Sequence, residues 1–377
     1  MTATKAHRFD SLARRLTELT KDLILFPSTV ARPEDRERCL QFVKNHIEPV
    51  EGVRIVEHRS EGFPSFVALP EGIDETEVLL CGHLDVVIQP RPEAYAPKVQ
   101  DGRIYGTGAG DMKGQVAALL ELFREMHLRH PGISLGLVVT TDEEIGGEHG
   151  IRYLVDEVGL RSALVVIPDG GFPNEVVVEE KGAVHLGVHV HGQAGHGARP
   201  WLSDNPLEKL MDRLCRLRDH FETLKTKSDD HWYPTCTATV LKTQNETVNR
   251  MPEIAAGALD IRFPPPHSTE GILGTVQGIL GDDVETHVLM AAEPTHLAPD
   301  PLFGSTAEEL TGRPVTYVRE AGGSDARFFC RHGIPVIMSR PLVGNLHADD
   351  EWMDVESLVT FYRIYERYLV RRLVETV

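Results

Sequence analysis

Three short apolar runs in this chain each end in side chains of the kind that hold metal ions. EVLLCGHLD reaches His83 and Asp85, LGLVVTTDEE reaches Glu143 and Glu144, and ALVVIPD reaches Asp169. A short apolar run bounded by turn residues reads as a buried strand, and an open α/β sheet presents its ligand site beyond the carboxyl ends of its strands. These residues therefore converge on one pocket. A fourth run, IPVIMS at 334 to 339, leads through PLVGNLHADD to His347, and the glycine-rich YGTGAGDMKG carries Asp111 into a helix.

The rest of the chain is consistent with that sheet. Leu12, Leu16, Leu19 and Leu23 recur at helical spacing over residues 9 to 25, and residues 35 to 48 form a second amphipathic segment. Strand-like and helix-like stretches alternate to about residue 182, including a helix from Gln115 to about Arg129 that stops at His130-Pro131-Gly132. Such alternation predicts an α/β domain, a mostly parallel sheet flanked by helices. The texture changes near residue 183. In AVHLGVHVHG, Val184, Leu186, Val188 and Val190 alternate with His185, His189 and His191, which is a strand with one wet face. A helix from NPLEKLMDRLCRLRDHFETL and strands from TCTATVLKTQ and EIAAGALDIRF follow, so 183–291 reads as a small α+β insertion between 1–182 and 292–377.

Composition excludes some roles. With 377 residues and 41% hydrophobic content, the chain can bury a core across two domains. A formal charge of -18 argues against nucleic acid and against an anionic membrane as partners. No apolar run approaches a membrane span, and the N-terminus lacks the core of a signal peptide, so the expectation is a cytoplasmic protein. Five cysteines without a CxxC pair suit reduced thiols.

Taken singly, each motif has a bland alternative. GHLDVV could be a polar turn, TTDEEIGG a solvated acidic loop, and IPDGG only a turn. Together they make a charge argument. Two divalent ions bring about four positive charges, and Asp111, Glu144 and Asp169 return about three beside neutral His83 and His347, leaving what one hydroxide cancels. Glu143 is then left over as a base, and Asp85, two residues beyond His83, is placed to orient its imidazole. A pair of ions that activates water and holds an anionic oxygen equips a hydrolase.

GHLDVV, DGRIYGTGAGDMKG, TTDEEIGG, GHGARP, AGGSDARFF and NLHADDEW, in this order, resemble the dizinc aminoacylase and carboxypeptidase family that includes acetylornithine deacetylase and succinyl-diaminopimelate desuccinylase. The resemblance spans roughly residues 60 to 377. It implies a catalytic metal-binding domain interrupted by a ferredoxin-like dimerisation (lid) domain, and a homodimer. It further implies that His83 and Asp169 bind one zinc, that Glu144 and His347 bind the other, that Asp111 bridges them, and that Glu143 is the general base and then acid. His196 would stabilise the oxyanion in the partner subunit's active site. Asn249 and Arg262 would hold the substrate's carboxylate or acyl end, and Gly322, Gly323 and Ser324 would line its pocket. The same ligands accept manganese or cobalt.

The expected activity is metal-dependent hydrolysis of an N-acyl amino acid, a small amino-acid-derived substrate, by deacetylase or desuccinylase chemistry. Asp169 points instead toward dipeptidases and aminopeptidases, since many deacylases of the family carry Glu at that position. Hydrolysis of another C–N bond, and a catalytically silent metal-stabilised binding protein, are the remaining alternatives.

Overall fold

Leu79, Leu80 and Cys81 point alternately to the two faces of a six-stranded sheet, and both faces are covered. The computed structural model describes residues 3–227 and 231–375, which fall into two units. The larger takes the chain up to Val178, Leu297–Val318 and the described residues from Ser324 onward; the smaller is Glu179–His296 with Arg319–Gly323.

In the larger unit the strands lie in the order Val53–Ser60, Phe63–Pro70, Leu135–Thr140, Val78–His83, Val165–Val166 and Val336–Ile337. The last four run parallel to one another, and the first two form an antiparallel hairpin. That hairpin closes on Glu61 and Gly62, whose φ values of 46° and 86° are those of a two-residue turn with both central residues left-handed. Val78–His83 and Leu135–Thr140 are buried along their whole length, as strands covered on both faces must be. On one face, Val78 and Leu80 pack with Leu16, Leu23, Leu119 and Phe123 from the helices Ala3–Ile24 and Gly114–Arg129 and with Tyr365 from Val355–Leu373. On the other, Leu79 and Cys81 pack with Ile151, Leu154, Phe328 and Phe329. Gly82 sits under the first of these layers, where a Cβ would come within 2.8 Å of Val116.

The helix Gly114–Arg129 carries its own internal control. Leu119 is fully buried whereas Leu128 is 78% exposed. Leu119→Ala is expected to cost about 2–5 kcal/mol and Leu128→Ala less than about 0.5 kcal/mol. Denaturant midpoints of the two variants check this.

The smaller unit is a four-stranded antiparallel sheet in the order Thr235–Thr243, Ile254–Phe263, Gly182–His191 and Val284–Ala292. Helices Pro206–Thr223 and Thr269–Leu280 complete a strand–helix–strand–strand–helix–strand sequence, the ferredoxin-like arrangement. Val184, Leu186, Val188 and Val190 face Leu210, Leu217, Ile272 and Val276 in its core, as the alternation predicts. His189 is stacked on His287 with ring centroids 4.8 Å apart. This unit extends beyond 183–291 and also takes in Arg319–Gly323. There Glu320 accepts a hydrogen bond from the Lys181 amide at 3.1 Å and the Arg319 guanidinium lies 4.7 Å from the Trp232 ring centre. Such a return is set by pairing across the fold and has no compositional signature. No helix among the described residues is long and apolar enough to cross a membrane.

Candidate metal centre

His83 is the last residue of Val78–His83, and Glu143 and Glu144 open the short turn after Leu135–Thr140. Asp169 lies three residues beyond Val165–Val166. Because these strands are parallel, their ends share one edge of the sheet. Asp111 comes from the turn before Gly114–Arg129, and His347 from the loop after Val343–Gly344, with a left-handed φ of 62°.

The donors form two groups, His83 with Glu143 and Asp169, and Asp111 with Glu144 and His347, each with its ligand atoms within 4.8 Å of one another. Asp111 joins them. Its Oδ1 is 3.2 Å from His83 Nε2 and its Oδ2 is 3.3 Å from His347 Nε2, so one carboxylate faces both imidazoles. His347 Nε2 is also 3.2 Å from Glu144 Oε2, and His83 Nε2 is 3.9 Å from Glu143 Oε2.

Asp85 does more than face an imidazole. Its carboxylate accepts the backbone N–H groups of Glu143 at 3.2 Å and Glu144 at 2.9 Å, while His83 Nδ1 is 3.1 Å from the Asp85 carbonyl oxygen and 3.5 Å from its carboxylate. One residue thus ties two strand ends together and sets the imidazole so that Nε2 points into the site.

Burial and mutual repulsion dominate the electrostatics. Burial pushes Glu143 and Asp169 well above the ordinary carboxylate range, and neighbouring carboxylates add to the rise. Burial would lower His83, but Asp111 and Asp85 outweigh it and hold the imidazole well above its usual value. Hydrogen bonding to Asp111 and Glu144 raises His347 to about 11. His83 Nε2 and Asp111 Oδ1 are buried with no hydrogen-bond partner among the described residues. Orphaned polar atoms facing one another amid crowded carboxylates need an occupant that carries positive charge and accepts lone pairs, so the residues fit divalent metal ions.

Two supporting residues escape sequence reasoning. Buried Glu351 accepts the backbone N–H groups of Gly108, Gly110 and Asp111 at 3.0, 2.7 and 2.9 Å, anchoring the turn that carries Asp111. Its carboxyl is raised to about 7 by burial and by Asp111. Only its place four residues after His347 could have drawn notice. Arg340 lies beside Asp169, with Nη1 3.3 Å from the Asp169 carbonyl oxygen. Glu351→Ala is expected to weaken metal affinity about 10–100-fold, as losses of outer partners do. Titration of metal-free protein measures this, and Glu351→Gln should recover part of the loss.

The remaining predicted residues, Ser324 apart, belong to the smaller unit. His196 pairs with Arg250, and the Gly197 amide donates to the Asn249 carbonyl at 2.8 Å, so His196 and Asn249 lie side by side. The Ala198 amide donates to His196 Nδ1 at 3.1 Å, and the His196 side chain is exposed. Arg262 closes its fork on Asp260 at 2.6 and 3.2 Å. Gly322 and Gly323 are exposed, whereas Ser324, in the larger unit, is buried and accepts the Ala326 amide at 3.1 Å.

Two groups of imidazole and carboxylate donors at the strand ends of an α/β sheet define a metal-dependent hydrolase. The family model described as Peptidase family M20/M25/M40 matches residues 79–371, and the chain belongs to that family. It is 28% identical over 380 residues to succinyl-diaminopimelate desuccinylase of Thioalkalivibrio sulfidiphilus, covering 95% of this chain and 99% of the relative. It is 30% identical over 314 residues to that of Acidiphilium cryptum, covering 77% and 81%. Human carnosine dipeptidase 1 has the same fold, with a TM-score of 0.80 at 15% identity over 97% of each chain. The chain is a metallohydrolase acting on amide bonds.

Proposed function

We propose that the chain hydrolyses the amide bond of N-acyl amino acids, as a deacetylase or desuccinylase, with two metal ions. The observation that carries this reading is Asp111, one carboxylate facing both His83 and His347, with Glu143 3.9 Å from His83. His83 and Asp169 would hold one ion and Glu144 and His347 the other, with Asp111 shared. Zinc suits imidazole and carboxylate ligands, as do manganese and cobalt. When bound, the ions supply Lewis acidity that lowers the pKa of water and stabilises anionic oxygen. Glu143 takes the proton of the attacking water and passes it to the leaving amine, a role suited by its place among the donors of His83 and Asp169. Asp85 holds Glu143 and Glu144 through their backbone amides.

The smaller unit serves as lid and dimerisation domain. Its outer strand Thr235–Thr243 is exposed along most of its length, with Val240 and Leu241 at the surface, which supports pairing with a second copy. His196 is then the donor offered to the partner's oxyanion, and Asn249, Gly322, Gly323 and Ser324 bind the substrate, joined by Arg262 when its fork opens from Asp260. Light scattering is expected to give about twice the 41.9 kDa of one chain; a monomer at micromolar concentration removes the trans role of His196.

The substrate class follows the desuccinylase relatives, of which that of Thioalkalivibrio sulfidiphilus matches along 95% of the chain. Asp169 favours a second reading as a dipeptidase. A panel of N-succinyl and N-acetyl amino acids beside unblocked dipeptides, with zinc or manganese and an EDTA control, separates the two. Chelator-sensitive release of amine from blocked substrates is expected; turnover of free-amine dipeptides alone establishes the second reading.

A further inference from the structure

We propose that Arg340 recognises a carboxylate of the substrate beside the metal centre, an inference that rests on the N-acyl amino acid reading above. The chain reaches this position by strand pairing. Ile337 lies in parallel register with Val166, so the residues that follow each strand, Arg340 and Asp169, leave the sheet side by side. The backbone before Arg340 is pinned from two directions. Ser339 Oγ donates to the Phe172 carbonyl at 2.6 Å, and the buried Tyr365 hydroxyl donates to the Ser339 carbonyl at 3.0 Å.

The guanidinium itself is poorly matched to its surroundings. The Arg340 side chain is 13% exposed, and its Nε is buried with no partner among the described residues. Nη1 reaches the Asp169 carbonyl oxygen at 3.3 Å and the carboxylate only at 3.9 Å. A guanidinium paired with a carboxylate closes its fork at shorter range, as Arg262 does on Asp260 in this structure at 2.6 and 3.2 Å. Arg340 therefore keeps donors in reserve at the wall of the site. A divalent ion held by Asp169 would share the nearest negative charge, and the largely covered guanidinium would then need another anion. A substrate carboxylate supplies one in the bidentate geometry that arginine favours.

The test uses full-length protein loaded with zinc, and compares Arg340→Gln and Arg340→Lys with the parent on N-succinyl-L-alanine and N-acetyl-L-alanine, with bound metal measured in each. Loss of a charge-assisted contact is expected to raise KM on the order of 10- to 100-fold with kcat changed only a few-fold, and with two ions still bound. A rise for the succinyl substrate alone assigns Arg340 to the acyl carboxylate, and an equal rise for both assigns it to the α-carboxylate; either supports the proposal. Unchanged KM for both, or loss of activity in step with loss of metal, overturns it and leaves Arg340 as a counter-ion of Asp169. If the parent hydrolyses neither substrate, the functional reading above fails separately. Calorimetric binding of succinate to the metal-loaded protein then decides for Arg340: weakening in Arg340→Gln supports the contact, and equal binding overturns it.

Discussion

Glu143→Gln is expected to retain both metal ions and lose about 10²–10⁴-fold in kcat. Glutamine keeps the volume and one oxygen of the side chain but cannot carry the proton. The experiment matters because Glu143 occupies an ambiguous place. Its carboxylate lies within 4.8 Å of the ligand atoms of His83 and Asp169, so it could serve as a ligand as well as a base. Metal analysis of the variant separates these roles. Full occupancy with collapsed turnover assigns the base, whereas loss of one ion makes Glu143 a ligand and returns the proton-transfer role to another group. Its backbone is held independently by Asp85, so the substitution should leave the turn in place.

Asp111→Ala is expected to have an equally large effect by another route. The carboxylate stands between two imidazoles, at 3.2 Å from His83 and 3.3 Å from His347, so under the proposed shared role its removal takes a ligand from both ions at once. Affinity for both ions should fall by more than about 100-fold, beyond the range typical of outer partners, and turnover should vanish under conditions that saturate the parent. Metal content after gel filtration, with His347→Ala alongside, is the check. His347 belongs to one group only, so its variant should keep one ion. Two ions retained by Asp111→Ala would remove Asp111 from the shared position.

Much of the fold is legible in the chain because burial leaves a local record. Two strands covered on both faces read as apolar runs, and Gly182–His191 reads as alternation because helices cover only one of its faces. The helices Pro33–Ile47 and Gly114–Arg129 begin within two residues of where their patterns place them. Thr269–Leu280 and Val284–Ala292 are less apparent because their short patterns stand among glycines and exposed residues. The return of Arg319–Gly323 to the smaller unit is invisible for another reason, since it is a pairing between distant segments.

The same division runs through the site. The sequence by itself determined which imidazoles and carboxylates gather at the candidate site, because the ends of parallel strands bring them to one edge. It also determined the class of chemistry, since crowded carboxylates with two imidazoles have few other uses. Only the tertiary structure decided what holds those donors in place. Asp85 grips the amides of residues 58 and 59 positions away, Glu351 grips an amide 240 positions away, and Arg340 meets Asp169 across 171. Such contacts are made by backbone groups or by side chains with no fixed spacing, so they appear only once the sheet has brought distant segments together.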